Sequence, residues 1–335
     1  MRDHGCMAGD SKFGGIALAF GNRKFRIYTL SSIPSQLGTW IQRLAVAWLA
    51  WKLTQSHAWV GAVAMADMLP VVFLAPLAGA FADRLDRLKV SRLLQIASMT
   101  QAIILAALAY ADLIGIEILI LLTLVLGILQ ALFQPFRHSI VANMVSREEL
   151  PGAIAVNSIA WHSSRFIGPA LAGAMIAIIG TGQAFTVTAG GFALSAILLA
   201  TLKLTPVDRS GQDDDGGMFE GVRYIFSNRL FLATIGLSFF TSVFGSSYQT
   251  LLAVFSEDIL DVGSTGFGLL EAAAGVGGFL GTLAIIKVGA GRYAGMIMLG
   301  SAALFGISIA GFAGSRSMQL SMALLFAAGF TSSLY

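Results

Sequence analysis

From Ile118 to Leu129 the chain carries no charged side chain, and from Ala102 to Ala111 it again carries none. Runs like these constrain the fold more than any other feature, because a segment of about 20 mostly apolar residues is what a bilayer demands of a spanning helix. Ten segments qualify: 27–51, 59–82, 91–111, 114–136, 153–179, 183–203, 230–255, 266–288, 293–314 and 318–335. They are apolar nearly all round, whereas helices of a water-soluble core keep a polar stripe at helical period. Only 12% of the residues are charged, against about 25% in a soluble domain. The sequence therefore predicts an all-α polytopic membrane protein.

Orientation follows from Lys and Arg, which stay cytoplasmic in short loops. One side collects Arg2, Lys12, Arg23, Lys24, Arg26, Arg84, Arg87, Lys89, Arg92, Arg137, Arg147, Lys203, Arg209, Arg223, Arg229, Lys287 and Arg292. The other holds Lys52 and Arg316, while Arg43 and Arg165 fall inside spans. This bias predicts a multi-pass protein of the cytoplasmic (inner) membrane with a cytoplasmic N-terminus. Residues 1–25 have only a short apolar patch and no cleavage-like ending, so they read as a retained tail. The scattered basic residues form no nucleic-acid face. Cys6, the one cysteine, can form no internal disulfide.

The longest polar break, Thr205 to Asn228, contains Pro206, Gly211, the acidic run Asp213, Asp214, Asp215, and Gly216 and Gly217. Such a composition packs no core and reads as a solvated linker. It divides the chain into a tail (1–25), a six-helix bundle (26–204), a cytoplasmic linker (205–228) and a second bundle (229–335) that stops after four helices. If the second half is to match the first, two spans are missing. The apolar ending Phe330 to Tyr335, with no basic anchor after it, is expected of a fragment.

The turn after the second span reads Gly79-Ala80-Phe81-Ala82-Asp83-Arg84-Leu85-Asp86-Arg87. Gly79 allows close helix approach, Asp83 can accept hydrogen bonds or face a helix N-terminus, and Arg84 and Arg87 can bind carboxylates or phosphates. Positive-inside anchoring accounts for the arginines but not for Asp83. The segment resembles the loop between helices two and three of the major facilitator superfamily. Asp86 stands where that family often has Gly, and Leu88 where a second basic residue is common, which implies a less tight turn. The resemblance implies that Asp83 latches onto an eleventh helix.

Similarity to the drug and siderophore exporter branch extends over most of the chain. It is carried by Leu37 to Ala45, Gln134-Pro135-Phe136-Arg137, Arg147 to Leu150, Ala155 to Ser158, Arg165 to Pro169, Gly221 to Tyr224 and Gly275 to Gly278. Gly168-Pro169-Ala170-Leu171-Ala172-Gly173 resembles the antiporter signature of helix five, with Ala172 replacing a Gly. Pro169 removes a helix hydrogen bond, and Gly168 and Gly173 allow close contact, which makes either a rocking seam or simply a kinked, tightly packed helix. The resemblance implies two six-helix halves, the second truncated, with about ten transmembrane helices present.

Charges inside spans must be paired or wet, since each costs about 2.5–3.5 kcal/mol at mid-helix. Arg43 and Asp67 each lie nine residues from the outer end of antiparallel neighbours, or roughly 14 Å deep at about 1.5 Å per residue. An Arg43–Asp67 ion pair is the expectation. It serves either as part of the outer cavity, with Asp67 taking a proton, or as structure alone. Arg165 and Glu271 are further cavity candidates, and Gln130, Gln134, Trp161, His162, Tyr248 and Gln249 could touch substrate or simply pack.

No nucleophile–base set, phosphate-cradling loop or metal cluster is legible, which argues against an enzyme or an ATP-driven pump. The resemblance implies a secondary transporter for a small molecule, drug or siderophore-like, and the expectation is a monomer. It would export by proton antiport, with no cofactor beyond the proton motive force. No residue excludes an importer or facilitator on the same fold, or an inactive fragment.

Overall fold

The computed structural model describes residues 18, 20–82, 85–146, 148–202, 227, 236, 247–288 and 294–334. No strand occurs among them. The first six helices are α1 (Arg23–Thr54), α2 (His57–Ala82), α3 (Arg87–Tyr110), α4 (Ile116–Met144), α5 (Leu150–Ile179) and α6 (Thr181–Thr201). The second half contributes α7 (Ser247–Val254), which runs into a π-helical turn at Phe255–Ile259, then α8 (Gly263–Val288), α9 (Ala294–Ala313) and α10 (Met318–Ser332). Asp83, Arg84, Arg147, the linker and most of the expected seventh span lie outside the described residues.

Seven of these helices are long and apolar enough to cross a membrane: α2 to α6, α8 and α9. The first helix, expected as a span, falls short by composition, although it is 32 residues long. The reason is internal. Its residues Ser31, Ser32, Ser35, Gln36, Thr39 and Gln42 are all buried, because α1 packs against α5 and α6 and faces protein instead of lipid. Gln95 of α3 donates to Ser35 Oγ at 2.9 Å, Gln42 donates to Gln101 Oε1 at 3.1 Å, and Thr188 of α6 donates to the Gly38 carbonyl at 3.1 Å. Hydrogen bonds of this kind join helices where apolar burial gives no drive, since lipid tails are as apolar as leucine.

Two helix boundaries position the residues of the interior. The α1–α2 turn is only Gln55-Ser56, made possible by Gln55 in the left-handed region (φ 49°) with its N–H bonded to the Trp51 carbonyl, so these helices are antiparallel neighbours. At the other boundary, α4 continues through Pro135 to Met144. The expectation of a span ending at 136, with Arg137 in a basic loop, is therefore corrected: Arg137 is 5% exposed inside the helix. A membrane helix tolerates such a proline when neighbours satisfy the freed backbone group.

Asp86 also behaves differently from a simple departure from a glycine turn. At φ −67° it needs no glycine, and its carboxylate caps α3 by accepting from the Leu88 and Lys89 backbone N–H groups, each at 3.1 Å. Arg92, one turn inside α3, donates to the Leu199 and Leu202 carbonyls at 2.9 and 2.5 Å and so closes the C-terminal end of α6.

The halves meet along α5 and α8, and α7 lies against α1 and α2. The halves also touch at the end away from the N-terminus of α1. There Trp48 stacks on Phe267 with ring centroids 6.3 Å apart, and His57 Nε2 lies 3.8 Å from Asp258 Oδ2.

Candidate functional site

Between the halves lies a cavity of about 130 Å³, bounded by α1, α2, α4, α5, α7 and α8. Its polar lining comes from Arg43, Asp67, Gln42, Gln249 and Glu271, set among apolar side chains such as Val63 and Phe267. Asp67 and Arg43 belong to the first half and Glu271 to the second, so the cavity is built by both.

Arg43 Nε lies 2.8 Å from Asp67 Oδ2, with the Arg43 side chain 26% exposed and that of Asp67 10%. The N–H is not aimed along this line, so the pair is electrostatic more than a directed hydrogen bond. Asp67 Oδ1, Gln42 Oε1 and Trp40 Nε1 are buried with no hydrogen-bond partner among the described residues. A cavity with unspent donors and acceptors in its wall can bind a polar ligand group, because leaving them unmade costs about 1–3 kcal/mol each.

Local packing fixes this pair. A Cβ on Gly127 of α4 would stand 2.6 Å from the Asp67 carbonyl oxygen, so only glycine lets α4 press against α2 at that level. A Cβ on Gly168 would stand 2.6 Å from Trp40 Cβ, which seats Trp40 between α1 and α5. On the α5–α8 seam, a Cβ on Gly173 would come 2.9 Å from Gly268 Cα, and one on Gly268 would come 2.8 Å from the Pro169 carbonyl. The helix-five segment singled out in the sequence thus performs two packing jobs, and Pro169 also lines the cavity.

Trp40 is the hub. The Arg43 guanidinium lies 5.1 Å from its ring centroid and that of Arg165 5.7 Å. Trp161 meets Trp40 edge-on at 5.6 Å, and Arg137 lies 5.4 Å from the Trp161 ring. A desolvated cation–π contact is worth about 2 kcal/mol, set against about 2.5–3.5 kcal/mol for an arginine at mid-membrane. One ring therefore offsets most of one arginine, and Trp40 has two.

Of the residues expected at the site, Arg43, Asp67 and Glu271 line the cavity, while Arg165 stands behind Trp40. Gln134 and Tyr248 are not in the lining; Tyr248 packs on Phe312 with ring centroids 6.3 Å apart, and its neighbour Gln249 takes the wall position. Gly79 lies in the α2 backbone and Arg87 opens α3, whereas Asp83 and Arg84 fall outside the described residues. The sequence did not reveal Trp40, Gln42, Gly127 or Arg137 as site residues. A tryptophan three residues before an intramembrane arginine, on the same helix face, was the available signal for Trp40.

Comparison with known proteins agrees with this architecture. The chain is 27% identical over 295 residues to the staphyloferrin A transporter of Staphylococcus aureus, covering 84% of this chain and 71% of that protein. It is 32% identical over 182 residues to the uncharacterized MFS-type transporter YfiS of Bacillus subtilis, covering 54% and 42%. It is 28% identical over 275 residues to the multidrug efflux pump Tap of Mycolicibacterium fortuitum, covering 76% and 64%. The chain thus spans between 42% and 71% of the length of these three relatives. Its fold matches a bacterial homologue of the human lysosomal transporter Spinster, solved inward-facing and unoccupied, with TM-score 0.69 and 18% identity over 93% of this chain and 73% of that one. Residues 16–332 match the transmembrane secretion effector family, and the chain belongs to it: a member of the major facilitator superfamily, whose proteins are membrane transporters and not enzymes.

Proposed function

We propose that this protein exports a small amphiphilic molecule across the cytoplasmic membrane by alternating access, driven by proton antiport. The observation that carries the proposal is the cavity between the halves, with the Arg43–Asp67 pair on one wall and Glu271 on the other. Rocking of the halves about the α5–α8 seam would change which side such a cavity faces. A carboxylate that gains and loses a proton as it turns could couple the two fluxes, since one charge crossing 100 mV supplies about 2.3 kcal/mol. Export is favoured over import because a relative with 28% identity is a multidrug efflux pump. The one-sided basic residues support a cytoplasmic N-terminus, and we place the protein in the membrane as a monomer without a bound cofactor.

The test is transport in proteoliposomes that carry a pH-sensitive dye inside. Adding a transported compound should change the internal pH, and Asp67→Asn or Glu271→Gln should abolish the change. Efflux with an unchanged internal pH would refute the antiport reading.

A further inference from the structure

We infer that the substrate is an anionic amphiphile, a flat apolar body bearing a carboxylate, and that it docks on the Trp40–Trp161 pair with its carboxylate on Arg165. This deepens the transport reading above and rests on it.

The charges along this tract do not balance among the described residues. Arg43, Arg137 and Arg165 face Asp67 and Glu271, and Asp67 is already paired with Arg43 at 2.8 Å. Glu271 makes no ion pair within 4 Å among the described residues, but the Arg165 charge acts on it, so Arg165 is offset in part and Arg137 has no described carboxylate. Arg137, 5% exposed, donates to Asn157 Oδ1 at 2.7 Å, while its Nε is buried and has no partner. Arg165 Nε is likewise buried and unpartnered. Two guanidinium groups therefore keep unspent donors in a low-dielectric setting, where an arriving carboxylate would be held strongly and in a planar, two-point fashion.

Geometry supplies the rest of the ligand's description. Arg165, Trp40, Trp161 and Arg137 follow one another at 5.7, 5.6 and 5.4 Å, alternating cation and aromatic ring without an anion between them. Rings meeting edge to face leave edges and faces on which a flat apolar body can pack. Trp161 and Arg165 are half-buried just outside the cavity lining, and Trp40, which touches both, lines the cavity wall. A cationic substrate would meet the Arg137 and Arg165 charges here, of which only Arg165 has a described carboxylate, Glu271, near enough to act on it. A neutral one would leave the buried donors unmade. Arg137, one ring further on, adds positive potential that holds the carboxylate against Arg165.

The experiment is an equilibrium titration of the purified protein in non-ionic micelles. It follows quenching of tryptophan fluorescence by 2-naphthoate, by the neutral 2-naphthamide and by 2-naphthylmethylammonium, after subtracting partition into protein-free micelles. The naphthoate should bind at least tenfold more tightly than the amide, and the ammonium most weakly. Arg165→Gln should reduce the tenfold preference to threefold or less, while Arg165→Lys, which keeps the charge but loses the planar fork, and Arg137→Gln should each fall between that and the wild type. Size-exclusion profiles establish that each variant is folded. If Arg165→Gln does not fold, the wild-type ranking of the three probes and the Arg165→Lys value decide the matter. Equal affinity for acid and amide, tighter binding of the ammonium, no binding of any probe, or an undiminished preference in folded Arg165→Gln would each overturn the inference. Because no gradient is present, failure of proton coupling in proteoliposomes would leave these results unchanged, and the two ideas fail separately.

Discussion

Replacing Asp67 by Asn, Arg43 by Gln, and then both together separates the energy of their pair from the cost of stranding either charge. The closest atoms are 2.8 Å apart, which places the charge centres roughly 4 Å apart and gives about 4 kcal/mol of attraction at an effective dielectric constant near 20. The single losses should not be equal. Without Asp67, Arg43 keeps the Trp40 ring at 5.1 Å and is 26% exposed, so Asp67→Asn should cost about 2–3 kcal/mol. Without Arg43, the Asp67 carboxylate stays 10% exposed with Oδ1 already lacking a partner, so Arg43→Gln should cost about 3–5 kcal/mol. The double variant buries neither charge, and its cost should fall short of the sum by about 2–4 kcal/mol. Unfolding by SDS titration in mixed micelles measures all four corners of the cycle. Additivity within about 0.5 kcal/mol, or a larger cost for Asp67→Asn than for Arg43→Gln, would refute the reasoning.

Gly127→Ala should drive α2 and α4 apart at the level of Asp67, because its Cβ would stand 2.6 Å from the Asp67 carbonyl; the expected loss is about 1–3 kcal/mol, read by the same SDS titration. On the α5–α8 seam, Gly173→Ala and Gly268→Ala should each force the two helices apart, since a Cβ on either comes within 3.0 Å of the other's Cα; each should cost about 1–3 kcal/mol in the same titration, and an unchanged midpoint would contradict the packing. Asp86→Ala should cost about 1 kcal/mol as a lost cap, while Asp86→Asn should cost less. The Lys89 backbone N–H, chiefly, holds the Asp86 carboxyl below its ordinary value. Its contribution is therefore full above the unfolded-state value and fades as pH falls through the lowered folded-state value, which hydrogen exchange at Leu88 and Lys89 would detect as smaller protection factors in acid, relative to the intrinsic rate at each pH. His57→Gln should change stability by less than about 1 kcal/mol, as its 3.8 Å contact with Asp258 is exposed on both sides.

Some of the site is legible from residues alone because the helices involved are adjacent in sequence. Arg43 and Asp67 lie at equal depth on two helices joined by a two-residue turn, so counting along each is enough to bring them together. Arg137 looks like a loop residue because Pro135 and a basic side chain ordinarily signal a helix end. Only packing against Tyr28 and Asn157 keeps the helix going and the guanidinium inside, where Tyr28 Oη donates to the Arg137 carbonyl at 3.3 Å. Polarity points Gln134 and Tyr248 to the cavity, yet neither lines it, since polarity says nothing of which face of a helix turns inward. The low apolar content of α1 is visible in the sequence but takes on meaning only because its serines and glutamines face other helices.

Local composition settles the solvent, since uncharged runs of helical length require a bilayer, and it supplies the expectation of two bundles from the polar break and of a cytoplasmic side from the basic residues. None of these needs knowledge of neighbours. Only the packing of helices fixes that Gly127 and Gly168 set the positions of Asp67 and Trp40, that Glu271 comes from the opposite half to share a cavity with Arg43, and that two tryptophans carry three arginines between them. Those groupings join residues up to 228 positions apart (Arg43 to Glu271), where helices from both bundles cross, and no periodicity along a single helix encodes which side chain another helix will meet.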